Sequence, residues 1–209
     1  MFQGLVEQTV KIHSITAKTG LRRFSFSFSV ELVRGLKIGG SISIEGVCLT
    51  ATNIDEQFVS VDIMLETLNK TTLGSFNAGD AVNIERAAKF GDEIGGHTLS
   101  GHIDTTAKII KIEQPENNYI FTFLVDSEWR RYIFSKGYIS INGASLTVTD
   151  FNKSEGTFKT YLIPETLRRT TFAHKRIGDF VNVEIDRQTQ VIVETVERVL
   201  ERNTSTIVR

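Results

Sequence analysis

Between Phe24 and Val30 the chain alternates apolar and polar residues: Phe24, Phe26, Phe28 and Val30 against Ser25, Ser27 and Ser29. Side chains on a strand point to opposite faces with period two, so this spacing predicts a strand with one aromatic face and one wet face. Elsewhere, short runs rich in Val, Ile, Phe and Thr are separated by most of the 16 glycines, while Pro115 and Pro164 are the only prolines. That punctuation predicts an all-β protein of barrels or sandwiches. The tail breaks the pattern. Ile192, Val196, Val199 and Leu200 recur at helical spacing among Glu194, Glu197, Arg198 and Glu201, which predicts an amphipathic helix. Such a helix could lie on a barrel or join copies of the chain.

The pattern also repeats. Residues 2–12 align on 99–109 and residues 44–50 on 141–147, both at an offset of 97. After a two-residue insertion the offset is 99, and residues 66–68, 71–72 and 79–85 align on 165–167, 170–171 and 178–184. Two copies of a unit of ~90 residues make a duplicated domain, since a solenoid needs at least ~3 shorter repeats. The expected organisation is a first barrel over 1–97, a second over 98–186, and a helix and tail over 187–209. The junction falls near Gly91, Gly95 and Gly96. The repeated Gly-Asp-x-Val-Asn-x-Glu block, holding Gly79, Asp80, Gly178 and Asp179, reads as a turn entering a strand whose aliphatic residues face inward. The Glu-Thr-Leu and Cys/Ser-Leu-Thr blocks keep polar groups inside apolar runs, where an unpaired polar group is costly. Either they satisfy backbone in both barrels or they face a ligand.

Composition narrows the function. Net charge is −1, from 24 basic and 25 acidic residues. Neither nucleic acid nor an anionic membrane is therefore expected as the main partner. No apolar run approaches 18 residues and the first ten residues lack a signal-peptide pattern, so neither a membrane span nor a signal peptide is expected. The one cysteine, Cys48, permits no intrachain disulfide and fits a reducing compartment, the cytoplasm. No metal-ligand spacing, phosphate loop, dinucleotide fingerprint or nucleophile elbow is present, so the expectation is an activity with no metal and no bound cofactor.

Chemistry has few candidates. Cys48, inside an apolar run, reads first as a small buried hydrophobe and second as a nucleophile. His97 and His102 are either structural or placed at a cleft, where an imidazole that titrates near neutrality can move a proton. The copies diverge where they are most reactive. Ser145 stands at the position of Cys48, and Leu5 at that of His102. Two similar pockets with different tasks, such as donor and acceptor, would look like this.

Met1-Phe2-x-Gly4, Gly46-Val47-Cys48-Leu49-Thr50, Gly95-Gly96-His97-x-x-Ser100-Gly101-His102-Ile103, Lys136-Gly137, Ser145-Leu146-Thr147-Val148 and Leu162-Ile163-Pro164-Glu165-Thr166-Leu167 occur in this order. Together they span nearly the whole chain and resemble the riboflavin synthase family of the α-chain type. The resemblance implies two six-stranded Greek-key barrels and a homotrimer held partly by C-terminal helices. Each barrel would bind one 6,7-dimethyl-8-ribityllumazine, with the active site between barrels of neighbouring chains. It also allows an association with lumazine synthase. The implied reaction passes a four-carbon unit between two lumazines, giving riboflavin and 5-amino-6-(D-ribitylamino)uracil.

Carried over residue by residue, the catalytic positions are Cys48, His102, Ser145 and Thr147. The substrate contacts in the first half are Gly4, Leu5, Val6, Ser41, Cys48, Leu49, Thr50, Asp62, Ile63, Met64, Leu65, Glu66 and Thr67. In the second half they are Gly101, His102, Ile103, Lys136, Ser145, Leu146, Thr147, Tyr161, Leu162, Ile163, Pro164, Glu165 and Thr166. His102 is the candidate base for the lumazine methyl proton, with Ser145 and Thr147 assisting. Cys48 or a water near it is the candidate nucleophile toward the acceptor. Gln3, Glu45, Asn142 and Ala144 depart from the family's usual threonine, asparagine, aspartate and larger aliphatic residue. The rival resemblance is to non-catalytic lumazine proteins, which share the barrels and bind a lumazine or flavin as an optical antenna.

Overall fold

The computed structural model describes residues 1–116 and 118–207. The first half folds as β1 (Gln8–Lys18), β2 (Leu21–Ser27), α1 (Val30–Val33), β3 (Ser41–Ile44), β4 (Val47–Asp55), β5 (Phe58–Met64), α2 (Leu65–Lys70) and β6 (Ala81–Arg86). Its six strands close a barrel in the order β1-β2-β5-β4-β3-β6, and β6 pairs back onto β1. Phe24, Phe26 and Phe28 are buried as their spacing predicts. Val30 departs from that stripe. Ser29 caps a short helix, its hydroxyl accepting from Leu32 N, and Val30 opens that helix 67% exposed.

The second half contains β7 (Thr105–Glu113), β8 (Tyr119–Leu124), β9 (Tyr138–Ile141), β10 (Ala144–Thr147), β11 (Asp150–Asn152), β12 (Thr157–Leu162), α3 (Pro164–Arg169) and β13 (Phe180–Ile185). The strand order β10-β9-β13-β7-β8-β12-β11 repeats that of the first barrel, with its fourth strand split into β10 and β11. The split falls where Val148 exchanges backbone bonds with Lys136 and Gly137 and the next residue, Thr149, donates to Lys159 O. Ala51 exchanges the equivalent bonds with Gly39 and Gly40. Lys136 holds the left-handed backbone, φ 72°, that Gly39 supplies in the first half.

The barrels meet across a pseudo-twofold seam. Asn83 Nδ2 donates to Asn142 O at 2.9 Å, and Asn182 Nδ2 donates to Glu45 O at 2.8 Å. Asn83 Oδ1 accepts from Thr171 N and Asn182 Oδ1 from Thr72 N. Glu45 and Asn142 are fully buried at positive φ, each accepting from the backbone of its own barrel's asparagine. Because β6 and β13 are covered on both faces, Asn83, Glu85, Asn182 and Glu184 are as buried as their aliphatic neighbours.

The chain ends in α4 (Arg187–Ile207). Tyr132 Oη donates to Glu194, and Arg131 pairs with Glu197, which ties the helix to the second barrel. Val193 packs on that barrel's core, whereas Ile192, Val196, Val199 and Leu200 face outward. No helix among the described residues is long and apolar enough to cross a membrane.

Candidate functional site

Each barrel is completed by a segment of the other. Val6 precedes β1 yet packs in the core of the second barrel, while Ile103 precedes β7 and packs against the core of the first. The exchange is held by backbone. Cys48 N donates to Gly101 O at 2.8 Å, and Ser145 N donates to Gly4 O at 2.9 Å. Gly4 and Gly101 have φ of 77° and 78°, and a Cβ on either would fall 2.5 Å from the Cβ of Ser145 or Cys48. Glycine is required on both counts.

A carboxylate fixes each crossing segment from behind. Glu85 accepts from Gln3 N and Gly4 N, and Glu184 accepts from Ser100 N, Ser100 Oγ and Gly101 N. Burial raises both carboxyls above their ordinary range, Glu85 to about 7, and the backbone donors only partly offset it.

Two cups result. The first lies in the first barrel, at the place pseudo-equivalent to the second, where half-buried Cys48 is bonded through its backbone N to Gly101 O and His102 follows next in the chain. His102 is exposed, with its carbonyl held by Arg187, which is itself anchored on Asp104. The second cup is a cavity of about 310 Å³ lined by Gly4, Leu5, Val6, Ala144, Ser145, Leu146, Glu165, Thr166, Arg169 and Thr170. That volume suits a bicyclic ring better than a large cofactor.

The sequence-derived contacts divide by burial. Leu5, Thr50, Met64, Leu65, Glu66, Thr147, Tyr161, Ile163, Pro164 and Glu165 are exposed, while Ser41, Asp62, Thr67, Ser145 and Thr166 are half-buried. Lys136 is exposed on the turn that clamps Val148. Val6, Leu49, Ile63, Leu146 and Leu162 belong to the two buried cores, and Val6 and Leu146 also line the second cup. Asp62 is engaged by Arg23 in a two-bond fork at 2.6 and 2.7 Å, and the guanidinium lowers its pKa. The paired strands of the second half carry Tyr161 and Ile120 at those positions, so the two barrels differ in polarity there.

Glu66 sits in the first turn of α2 and accepts from Lys70, whereas Glu165 sits in the first turn of α3 and accepts from Arg168 and Arg169. These partners hold both carboxyls below their ordinary range. The threonines one turn beyond these blocks serve backbone. Thr71 and Thr170 donate to Thr67 O and Thr166 O and accept from Leu73 N and Phe172 N.

Sequence leaves His97 as either a structural or a cleft imidazole, and the structure gives its partner. Buried His97 places Nδ1 2.6 Å from Ser145 Oγ. Burial lowers its pKa against an opposing pull from Asp186, which favours the neutral imidazole, and Nε2 has no hydrogen-bond partner among the described residues. With the proton on Nε2, Nδ1 accepts from the Ser145 hydroxyl and makes it a relay for a proton. The signal that could have found it is Gly96, where a Cβ would lie 2.0 Å from Gln3 O and 3.0 Å from Ser145 Cβ. The linker must lie against the serine for that to be so.

The same architecture recurs in known proteins. A model of the lumazine binding domain matches twice, over residues 3–87 and 100–186. The chain is 50% identical over 201 residues to riboflavin synthase of Escherichia coli (strain K12), covering 96% of this chain and 93% of that one. It is 45% identical to riboflavin synthase of Buchnera aphidicola subsp. Schizaphis graminum (strain Sg), covering 99% of each. A crystal structure of LumP complexed with riboflavin superposes with a TM-score of 0.81 at 25% identity, over 90% of this chain and all of that one. With two matched copies and these identities over nearly its full length, the chain belongs to the lumazine-binding riboflavin synthase family.

Proposed function

We propose that the chain dismutates two molecules of 6,7-dimethyl-8-ribityllumazine to riboflavin and 5-amino-6-(D-ribitylamino)uracil. The observation that carries this reading is the pair of pseudo-equivalent cups that differ in their reactive side chains: Cys48 and His102 in one, Ser145 and Leu5 in the other, with His97 added beside Ser145. A pure binder has no need of that asymmetry. Relatives that carry the activity in their names cover the chain at 42–50% identity.

The C7 methyl of a lumazine is acidic because its anion delocalises into the electron-poor ring, so a base of near-neutral pKa can take the proton. His102 is one base within reach of a cup, and the neutral His97 acting through Ser145 is another. Thr147, exposed two residues beyond Ser145, lies on the same face of β10. Cys48, or a water beside it, adds to C7 of the acceptor. The four-carbon unit then passes from one ring to the other. Holding the two rings face to face replaces a bimolecular encounter with an oriented one, worth up to roughly 7–11 kcal/mol.

Both cups open on the surface, and the outward apolar face of α4 suits self-association. The working unit is accordingly a homotrimer in which the first cup of one chain faces the second cup of its neighbour. The single free cysteine suits a reducing cytoplasm. The purified chain, incubated with the lumazine and no added cofactor, is expected to yield riboflavin and the pyrimidinedione in equal amounts. Binding with no conversion would sink the reading in favour of an antenna-like binder.

A further inference from the structure

His97 lies in the segment between β6 and β7, where regular structure does not set its side chain. Three contacts hold it: its backbone N donates to Gln3 O at 3.1 Å, Nδ1 meets Ser145 Oγ, and one face of the ring lies on Tyr138. The last contact is a stack with centroids 5.1 Å apart and planes 15° from parallel. Tyr138 opens β9 directly opposite Thr147 on β10. Its other face is turned to solvent, leaving the residue 58% exposed. An aromatic residue at that exposure contributes little to a core. What it does cover is the imidazole. Both rings border a cavity of about 550 Å³ that also touches Asp186 and Arg187 and is separate from the second cup.

We propose that Tyr138 is a positioning residue that acts through His97, its flat ring clamping the imidazole so that Nδ1 stays on the Ser145 hydroxyl. This rests on the reading in which His97 and Ser145 move the proton in the second cup. Stacking needs a planar face and no hydroxyl, so phenylalanine serves as well as tyrosine. Leucine fills space but lets the ring rotate. Loss of alignment between a base and its relay is costly even at 1 Å, on the order of 100-fold. The clamp also keeps water from one face of the imidazole. The charged and titratable groups bordering the ring's cavities are Asp186 at the end of β13, which favours the protonated form, Arg187 at the start of α4, the Tyr138 phenol, the amino group of Met1, and Lys89 and Asp92 beyond β6.

The test compares Tyr138→Phe, Tyr138→Leu, Tyr138→Ala and His97→Gln in the full chain, with kcat, KM, the pH profile of kcat and the thermal midpoint measured for each. Tyr138→Phe is expected to stay within about twofold of the parent, while Tyr138→Leu and Tyr138→Ala lose about tenfold or more in kcat with KM little changed. Uncovering the ring restores its hydration, so the acid limb of the profile moves to higher pH in both. If Tyr138→Ala does not fold, Tyr138→Leu with rescue by phenylalanine carries the comparison. Parent-like kcat in Tyr138→Leu beside an impaired His97→Gln overturns the clamp and leaves the proton relay standing. Parent-like turnover in His97→Gln overturns the relay itself. Equal losses in the phenylalanine and leucine variants assign the effect to the hydroxyl and also overturn the clamp.

Discussion

The backbone amide of Cys48 donates to the carbonyl of Gly101 at 2.8 Å, which ties the reactive strand of the first barrel to a segment that sequence assigns to the second. Ser145 and Gly4 make the same bond in the opposite sense, so neither cup exists without both halves.

Gly101→Ala is therefore expected to damage the site and the fold together. The new methyl would meet Cys48 Cβ at 2.5 Å and Cys48 N at 2.8 Å, on a backbone with φ of 78°. Strain and overpacking of this kind cost about 1–3 kcal/mol. Gly79→Ala is the control: its φ is 95° but nothing lies within 4 Å, so only the backbone cost applies. Urea unfolding should rank Gly101→Ala below Gly79→Ala, and turnover should collapse only in the former. Full activity in Gly101→Ala would refute the shared-cup geometry.

Cys48→Ser and His102→Gln test the first cup. Neither side chain is part of a core, and His102 is anchored through its carbonyl by Arg187, so both variants should fold and keep their oligomeric size. Removal of a general base or its partner costs roughly 10²–10⁴-fold. Turnover should fall toward that range while quenching of ligand fluorescence persists. Parent-like turnover in both would remove these roles.

Much of this is legible in the chain. The Phe24–Phe26–Phe28 alternation and the repeat at offsets of 97 and 99 describe two related barrels in the sequence itself, because period-two burial is a local property. The same logic misplaces Asn83 and Asn182. Alternation alone sends them to solvent, and only the second barrel lying on the outer face of the first reverses that. Val30 leaves the aromatic stripe because a serine that alternates in a strand also caps a helix. His97 stands out in the sequence as an imidazole that is either structural or at a cleft, but its partners, Ser145 and Tyr138, lie more than 40 residues away, and nothing in its local spacing reports a stack. Strand alternation places the side chains of Leu49, Ile63, Leu146 and Leu162 in the cores, because burial by period two is local.

Asn182→Ala should be unusually costly for an asparagine. It leaves the buried Thr72 amide and the Glu45 carbonyl without partners, at about 1–3 kcal/mol for each such group. Asn83→Ala does the same to Thr171 N and Asn142 O. Because the two asparagines share Glu45 and Asn142, the double variant should show a coupling above the ~0.5 kcal/mol expected of independent sites. Strict additivity in denaturant unfolding would mean the seam is two separate patches.

Glu45 gives the seam a pH dependence whose direction can be worked out. Burial pushes its carboxyl from 4.5 up to about 7, against weaker opposing effects from Lys175, Asn83 N and the Thr171 hydroxyl. In the unfolded chain the group loses its proton near the ordinary value, while in the folded chain it keeps it until about pH 7. Between those limits the native state binds more protons, so stability falls as pH rises and levels off above the folded pKa. Glu85, also raised to about 7, adds a slope of the same sign. Glu45→Gln preserves the acceptor that Asn83 N and Thr171 use but cannot ionise. It should match the parent near pH 5 and exceed it at pH 8 by an amount on the order of a few kcal/mol, since each tenfold change in proton affinity is worth ~1.4 kcal/mol. Thermal unfolding of both proteins at the two pH values measures this directly. A variant less stable than the parent at pH 8 would mean that the ionised carboxylate is stabilised at the seam, with Lys175 as its counter-charge, and that burial does not govern this carboxyl.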